Sequence, residues 1–147
     1  NNGNKINESS PTSQAPRATR LLNAEQACLE RGGNVVRLAG LYNVDRGAHN
    51  YWLRDDASAV DPNGLINLIS YEDAARVIVM LMKQGGKGKE GEEKKEGAAG
   101  EGFLISDGTP MSRREICEAA LEHPHYQGRE MPPFLNENEG TTGKLYE

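Results

Sequence analysis

Apolar residues fall at helical spacing from Thr19 onward. Leu21, Ala24 and Cys28 share one face, Leu22 and Leu29 flank it, and Gly32-Gly33 closes the run. That spacing predicts a helix of about three turns. Directly after it, Asn34-Val35-Val36-Arg37-Leu38-Ala39-Gly40 carries a β-branched pair and reads as a short buried strand. Residues 41–62 are irregular, with one turn of helix expected near residues 51–54. Leu65-Ile66-Asn67-Leu68-Ile69, set off by Pro62-Asn63-Gly64, is a second strand. Ser70 then stands as an N-cap, with Glu72 and Asp73 in the first turn where acid suits the helix dipole. Ala74, Val77, Ile78 and Leu81 follow at i, i+3, i+4 and i+7, and Gly85-Gly86 stops the helix. A third strand is predicted at Gly102-Phe103-Leu104-Ile105-Ser106, with a turn at Asp107-Gly108. Ser112 and Glu115 have capping-box spacing for a helix carrying Ile116, Ala119 and Ala120 on one face. Beyond Leu121 the chain turns irregular and proline-containing.

This rhythm of helices and strands with short connections is that of an α/β protein. Three strands and three helices are thin cover for a parallel sheet, which hints at part of a larger domain. Two stretches lie outside the pattern. Residues 1–18 read as loop, and residues 85–101, GGKGKEGEEKKEGAAGE, read as a disordered low-complexity insertion, since they offer no large apolar side chain to offset their ordering entropy. The domain proper is therefore expected over residues 19–147, interrupted by that insertion. At 147 residues the chain suits one domain.

Composition narrows the function classes. A net charge of −5 argues against a general electrostatic grip on nucleic acid or an anionic membrane. The longest uncharged apolar stretch, residues 77–82, falls far short of the ~20 residues of a membrane span. Asn1-Asn2-Gly3-Asn4-Lys5 has no apolar stretch of leader type. Cys28 and Cys117 both fall in predicted helices and suggest no disulfide framework. The expectation is a non-secreted, intracellular protein of a reducing compartment, cytoplasm or organelle stroma, in which the sequon Asn7-Glu8-Ser9 carries no glycan.

Few motifs carry chemistry. No glycine-rich phosphate loop is present, and Gly86, Gly88 and Gly91 lack the strand–turn–helix context of one. His123-Pro124-His125 has too few partners for a metal site and reads as exposed loop, so no metal is expected. His49 reads as a solvated loop residue, with a pocket-facing role as the alternative. Both cysteines read as inert thiols on apolar helix faces. The pairs Glu72-Asp73 and Asp55-Asp56 are explained by a helix N-terminus and a polar loop, and no catalytic residue is assigned. One segment is polar where a buried strand should run into a turn: Arg37 interrupts the strand, and Gly40-Leu41-Tyr42-Asn43-Val44-Asp45-Arg46 leaves its carboxyl end. Open α/β sheets bind ligands there. Tyr42 is thus a candidate for stacking or a hydroxyl hydrogen bond, and Arg46 for a phosphate or carboxylate. The alternative is that Tyr42 packs under the loop and Arg46 pairs with Asp45 or Asp56.

Four segments together resemble the C-terminal part of an extended short-chain dehydrogenase/reductase of the NAD-dependent epimerase/dehydratase type. They are Glu8-Ser9-Ser10-Pro11, Val36-Arg37-Leu38-Ala39-Gly40-Leu41-Tyr42, Asn67-Leu68-Ile69-Ser70-Tyr71-Glu72-Asp73-Ala74-Ala75, and Phe103-Leu104-Ile105-Ser106-Asp107-Gly108-Thr109-Pro110; Gly143-Lys144-Leu145-Tyr146 continues the match. The resemblance implies the C-terminal half of a Rossmann-like NAD(P)-binding fold with a small substrate-side subdomain. It implies NAD or NADP as cofactor and a small-molecule substrate such as a nucleotide sugar. By the same resemblance Leu41 and Tyr42 line the nicotinamide side, and Arg46 and Asn67 face the substrate.

The departures are specific. The family's Tyr-x-x-x-Lys pair should fall around residues 17–21, which read Arg17-Ala18-Thr19-Arg20-Leu21, and Asn43 replaces the glycine after Tyr42. The family's glycine-rich loop belongs to an N-terminal half, so the sequence reads as a fragment of an atypical member. The alternatives are a non-catalytic binding or scaffold protein built on the same fold, or a truncated chain without activity of its own.

Overall fold

A computed structural model describes residues 5–85, 100–135, 142–143 and 145–146. Its elements, in chain order, are β1 (Lys5–Ile6), α1 (Pro16–Leu29), β2 (Val35–Leu38), β3 (Gly40–Tyr42), α2 (Ala48–Trp52), β4 (Gly64–Ile66), β5 (Leu68–Ser70), α3 (Tyr71–Gly85), β6 (Gly102–Ile105), β7 (Met111–Ser112), α4 (Arg113–Leu121), β8 (Thr142–Gly143) and β9 (Leu145–Tyr146), with a 3-10 turn at Pro124–Tyr126. The predicted insertion lies, but for its ends, outside the described residues.

The single predicted strand over residues 34–40 is two segments that change partners. β2 pairs in parallel with β6 from Val35↔Gly102 to Leu38↔Ile105, and β3 pairs in parallel with β5 from Gly40↔Leu68 to Tyr42↔Ser70. The change occurs between adjacent amides: the Ala39 N–H donates to the Ile105 carbonyl at 2.9 Å and the Gly40 N–H to the Asn67 carbonyl at 3.0 Å. On its other side β5 accepts the Asp107 N–H at the Leu68 carbonyl, 2.8 Å. β5 is thereby wedged between β3 and the exit of β6. Gly40 sits where the backbones come closest, since a Cβ there would lie 3.1 Å from Leu68 Cδ2 and 3.3 Å from the Asn67 oxygen. A second small sheet has the order β7-β4-β8, with β7 antiparallel and β8 parallel to β4, and β1 pairs in parallel with β9.

Alternation along β5 divides the core. Leu68 packs with Trp52, Leu53, Ile116, Cys117 and Tyr126 on one face, and Ile69 packs with Ala39 and Ala74 on the other. Helix signals act as predicted at two starts. Ser70 Oγ accepts the Asp73 N–H at 3.0 Å, and Ser112 and Glu115 form the reciprocal capping box at the start of α4. α1 begins at Pro16, three residues before the expected start, because proline at the first helical position is pre-set in φ and has no N–H to leave unpaired. The turn of helix expected at residues 51–54 lies at Ala48–Trp52. Among the described residues no helix is long and apolar enough to cross a membrane.

Candidate functional site

The wedge of β5 brings the carboxyl ends of three parallel strands to one place. Tyr42 and Asn43 leave β3, Ser70 and Tyr71 leave β5, and Asp107 follows β6; all five line one cleft of about 440 Å³. Its floor and far wall are apolar, from Leu68, Met111, Ile116, Ala119 and Ala120, so α4 closes the side opposite the strand ends. Val44, His49, Glu72, His123 and Tyr126 complete it.

Tyr42 lies at the junction of the walls, half-buried. Burial raises its hydroxyl pKa above the usual tyrosine value, and the charges of Asp107 and Asp73 add to the rise. Tyr126 is buried, donates its hydroxyl proton to the Val44 carbonyl, and is likewise pushed up chiefly by burial. His49 meets the Tyr126 ring edge-on at 5.4 Å between centroids, and its Nε2 lies 3.5 Å from the Val44 oxygen. The solvated reading of His49 is therefore corrected: only 7% of it is exposed, because α2 folds the loop back over the cleft. His123 and His125 are exposed as expected, and no metal-holding group of His, Cys, Asp or Glu occurs among the described residues.

The four residues expected from the sequence part company. Tyr42 lines the cleft. Leu41, one residue earlier, points to the opposite sheet face and packs against the cluster of Ala39, Ile69 and Ala74. Arg46 stands at the rim, with its guanidinium carbon 5.7 Å from the centroid of the cleft-lining Tyr71. Asp56 is bound by Arg54, and Asp45 faces His125 at 3.7 Å. Asn67 is buried between β4 and β5, where its carbonyl anchors Gly40. Asp107, Ser70 and Tyr71 were within reach of sequence reasoning, because the strand-end rule that singles out Tyr42 applies equally after β5 and β6. Tyr126 carried no local signal.

No Lys or Arg is among the described residues that line the cleft; its formal charges are the carboxylates of Glu72 and Asp107. The apolar body, with polar groups along one edge, suits a ring bearing hydroxyls.

No family model and no curated protein matches the chain. A search of solved structures finds MoeE5 in complex with UDP-glucuronic acid and NAD, at a TM-score of 0.65 and 13% sequence identity. The alignment covers 99% of this chain and 52% of that one, so the chain spans about half the length of its structural neighbour. This likeness shows the fold, a mixed α/β arrangement of Rossmann-like type with parallel strands.

Proposed function

We propose that the chain forms the substrate-side part of an atypical NAD(P)-linked protein of the extended short-chain dehydrogenase/epimerase kind, with a nucleotide sugar as its ligand. The observation that carries this reading is the cleft at the carboxyl ends of β3, β5 and β6, the position at which open α/β sheets bind ligands. The fold neighbour, MoeE5 in complex with UDP-glucuronic acid and NAD, supports the ligand class. In this reading Tyr42 borders the nicotinamide side, supported from the opposite sheet face by Leu41. Arg46 meets the substrate's diphosphate at the rim, and Asn67 holds β5 against β3 on the substrate side.

Calorimetric titration of the chain with UDP-glucose and with NAD tests the reading. Expected is one-to-one nucleotide-sugar binding that Ala119→Trp abolishes by filling the cleft, and that Tyr42→Phe and Arg46→Ala weaken. Absence of heat with both ligands, or unchanged affinities in all three variants, would overturn it.

A second reading, binding without turnover, is favoured by a separate observation. A proton-transferring group works best with a pKa near the operating pH. Both Tyr42 and Tyr126 are pushed upward, no lysine is among the described lining residues, and Arg17-Ala18-Thr19-Arg20-Leu21 on α1 contains neither Tyr nor Lys. Under this reading NAD and UDP-glucose together give no rise in absorbance at the reduced-nicotinamide band.

A further inference from the structure

The cleft has charge of one sign, and its two carboxylates are not equivalent. Glu72 is bound by Arg76 on the next turn of α3, a guanidinium it shares with Asp73, so its charge is partly offset. Asp107 has no ion-pair partner among the described residues. Its position is rigid: its N–H donates to the Leu68 carbonyl at 2.8 Å, and its Oδ1 accepts the Thr109 N–H at 3.0 Å across a turn completed by Gly108 at φ 79°. The second carboxylate oxygen is able to accept hydroxyl protons. The cationic group on this side, Arg46, lies at the rim over Tyr71.

We propose that Asp107 makes the cleft selective for a neutral hexose over a hexuronate in the nucleotide sugar, by accepting sugar hydroxyls and repelling a sugar carboxylate. The inference rests on the nucleotide-sugar reading above and sets this chain apart from a fold neighbour in complex with UDP-glucuronic acid. The chemistry is a difference of affinities. A hydroxyl gains a charge-assisted hydrogen bond at Asp107, whereas a carboxylate placed beside it meets a like charge. Arg46 at the rim suits the diphosphate common to both ligands and so contributes little to the choice between them. The upward displacement of the Tyr42 hydroxyl pKa is consistent with the Asp107 charge reaching into the cleft.

The test is paired titration with UDP-glucose and UDP-glucuronic acid at fixed ionic strength and neutral pH. UDP-glucose is expected to bind about fivefold to tenfold tighter. D107N, whose amide oxygen preserves the bond from Thr109, brings the ratio close to one; E72Q changes it less, because Arg76 already offsets part of the Glu72 charge. Raising the salt narrows the ratio in the unmodified chain, which reads the same charge without any substitution. Equal or tighter binding of UDP-glucuronic acid by the unmodified chain, or a ratio unmoved by D107N and salt, overturns this inference alone. Failure of both nucleotide sugars to bind overturns the reading on which it rests, and the inference with it.

Discussion

Arg37, in the middle of β2, is clasped by Glu25 of α1: its Nε lies 3.0 Å from Oε2 and 3.2 Å from Oε1, and its Nη2 also donates to Oε2. A cation that interrupts an apolar strand is thus a fastener between helix and sheet. Both side chains are partly shielded, with 37% of the arginine and 22% of the glutamate side chain exposed. Glu25→Ala is expected to destabilise the chain by about 1 kcal/mol, above the usual surface pair because the contact is forked. Arg37→Lys loses most of the same energy, since an ammonium cannot reproduce the fork. Denaturant unfolding of the two single variants and the double variant measures the coupling.

Acid should loosen the molecule through three carboxylates that accept hydrogen bonds in the folded state. Glu8 is lowered mainly by the Leu104 N–H it accepts at 2.9 Å, Asp73 mainly by the Ser70 hydroxyl, and Glu115 mainly by the Ser112 N–H. Each folded value lies below the ordinary one, 4.5 for glutamate and 3.8 for aspartate. Their stabilisation is therefore present above those ordinary values and lost as pH falls through the depressed folded values. The thermal midpoint should fall as pH drops below about 4.5. Glu115→Gln should lower the plateau at pH 7 and flatten that acid slope.

The two thiols should differ sharply in reactivity. Cys117 is fully buried, and burial pushes its pKa up to about 11. At pH 8 only about one thiol in a thousand would then be thiolate even if reagent reached it. Cys28 is half-exposed near the end of α1. Titration with a disulfide reagent under native conditions should count one thiol, and in denaturant two. Two fast thiols in the native chain would contradict the packing of α4.

Tyr126 ties the 3-10 turn to the loop after β3 by donating to the Val44 carbonyl. Tyr126→Phe keeps the ring against His49 and removes the hydroxyl, which bonds both the Val44 carbonyl and the Asn50 side chain. The expected cost is about 1 kcal/mol, a fall of roughly 4 °C in the melting temperature. Ligand affinity should fall with it, because His49 and Tyr126 form one wall of the cleft. An unchanged melting temperature would show that the Val44 carbonyl finds a replacement donor.

Local rules account for what the sequence by itself determined. The periodic apolar positions of α3 and α4, the caps at Ser70 and Ser112, and the strand segments within residues 34–40, 65–69 and 102–106 depend on interactions within one or two turns or on simple alternation. The strand-end rule put Tyr42 at the carboxyl edge of the sheet, where the cleft lies, without knowledge of any partner strand. Tertiary structure decided the rest. The transfer from β6 to β5 at Ala39 and Gly40 depends on which strand lies beside each amide, which no pattern within residues 34–42 encodes. His49 is buried because α2 turns it against Tyr126, and Tyr126 reaches Val44 across 82 residues of chain. Alternation separates Leu41 from Tyr42, but only the packed sheet shows which face opens onto the cleft. The periodicity of a segment states which side chains share a face; whether a side chain on that face is buried, as Ala74 is, or exposed, as Leu21 and Ile78 are, is chosen by chain closure over long separations.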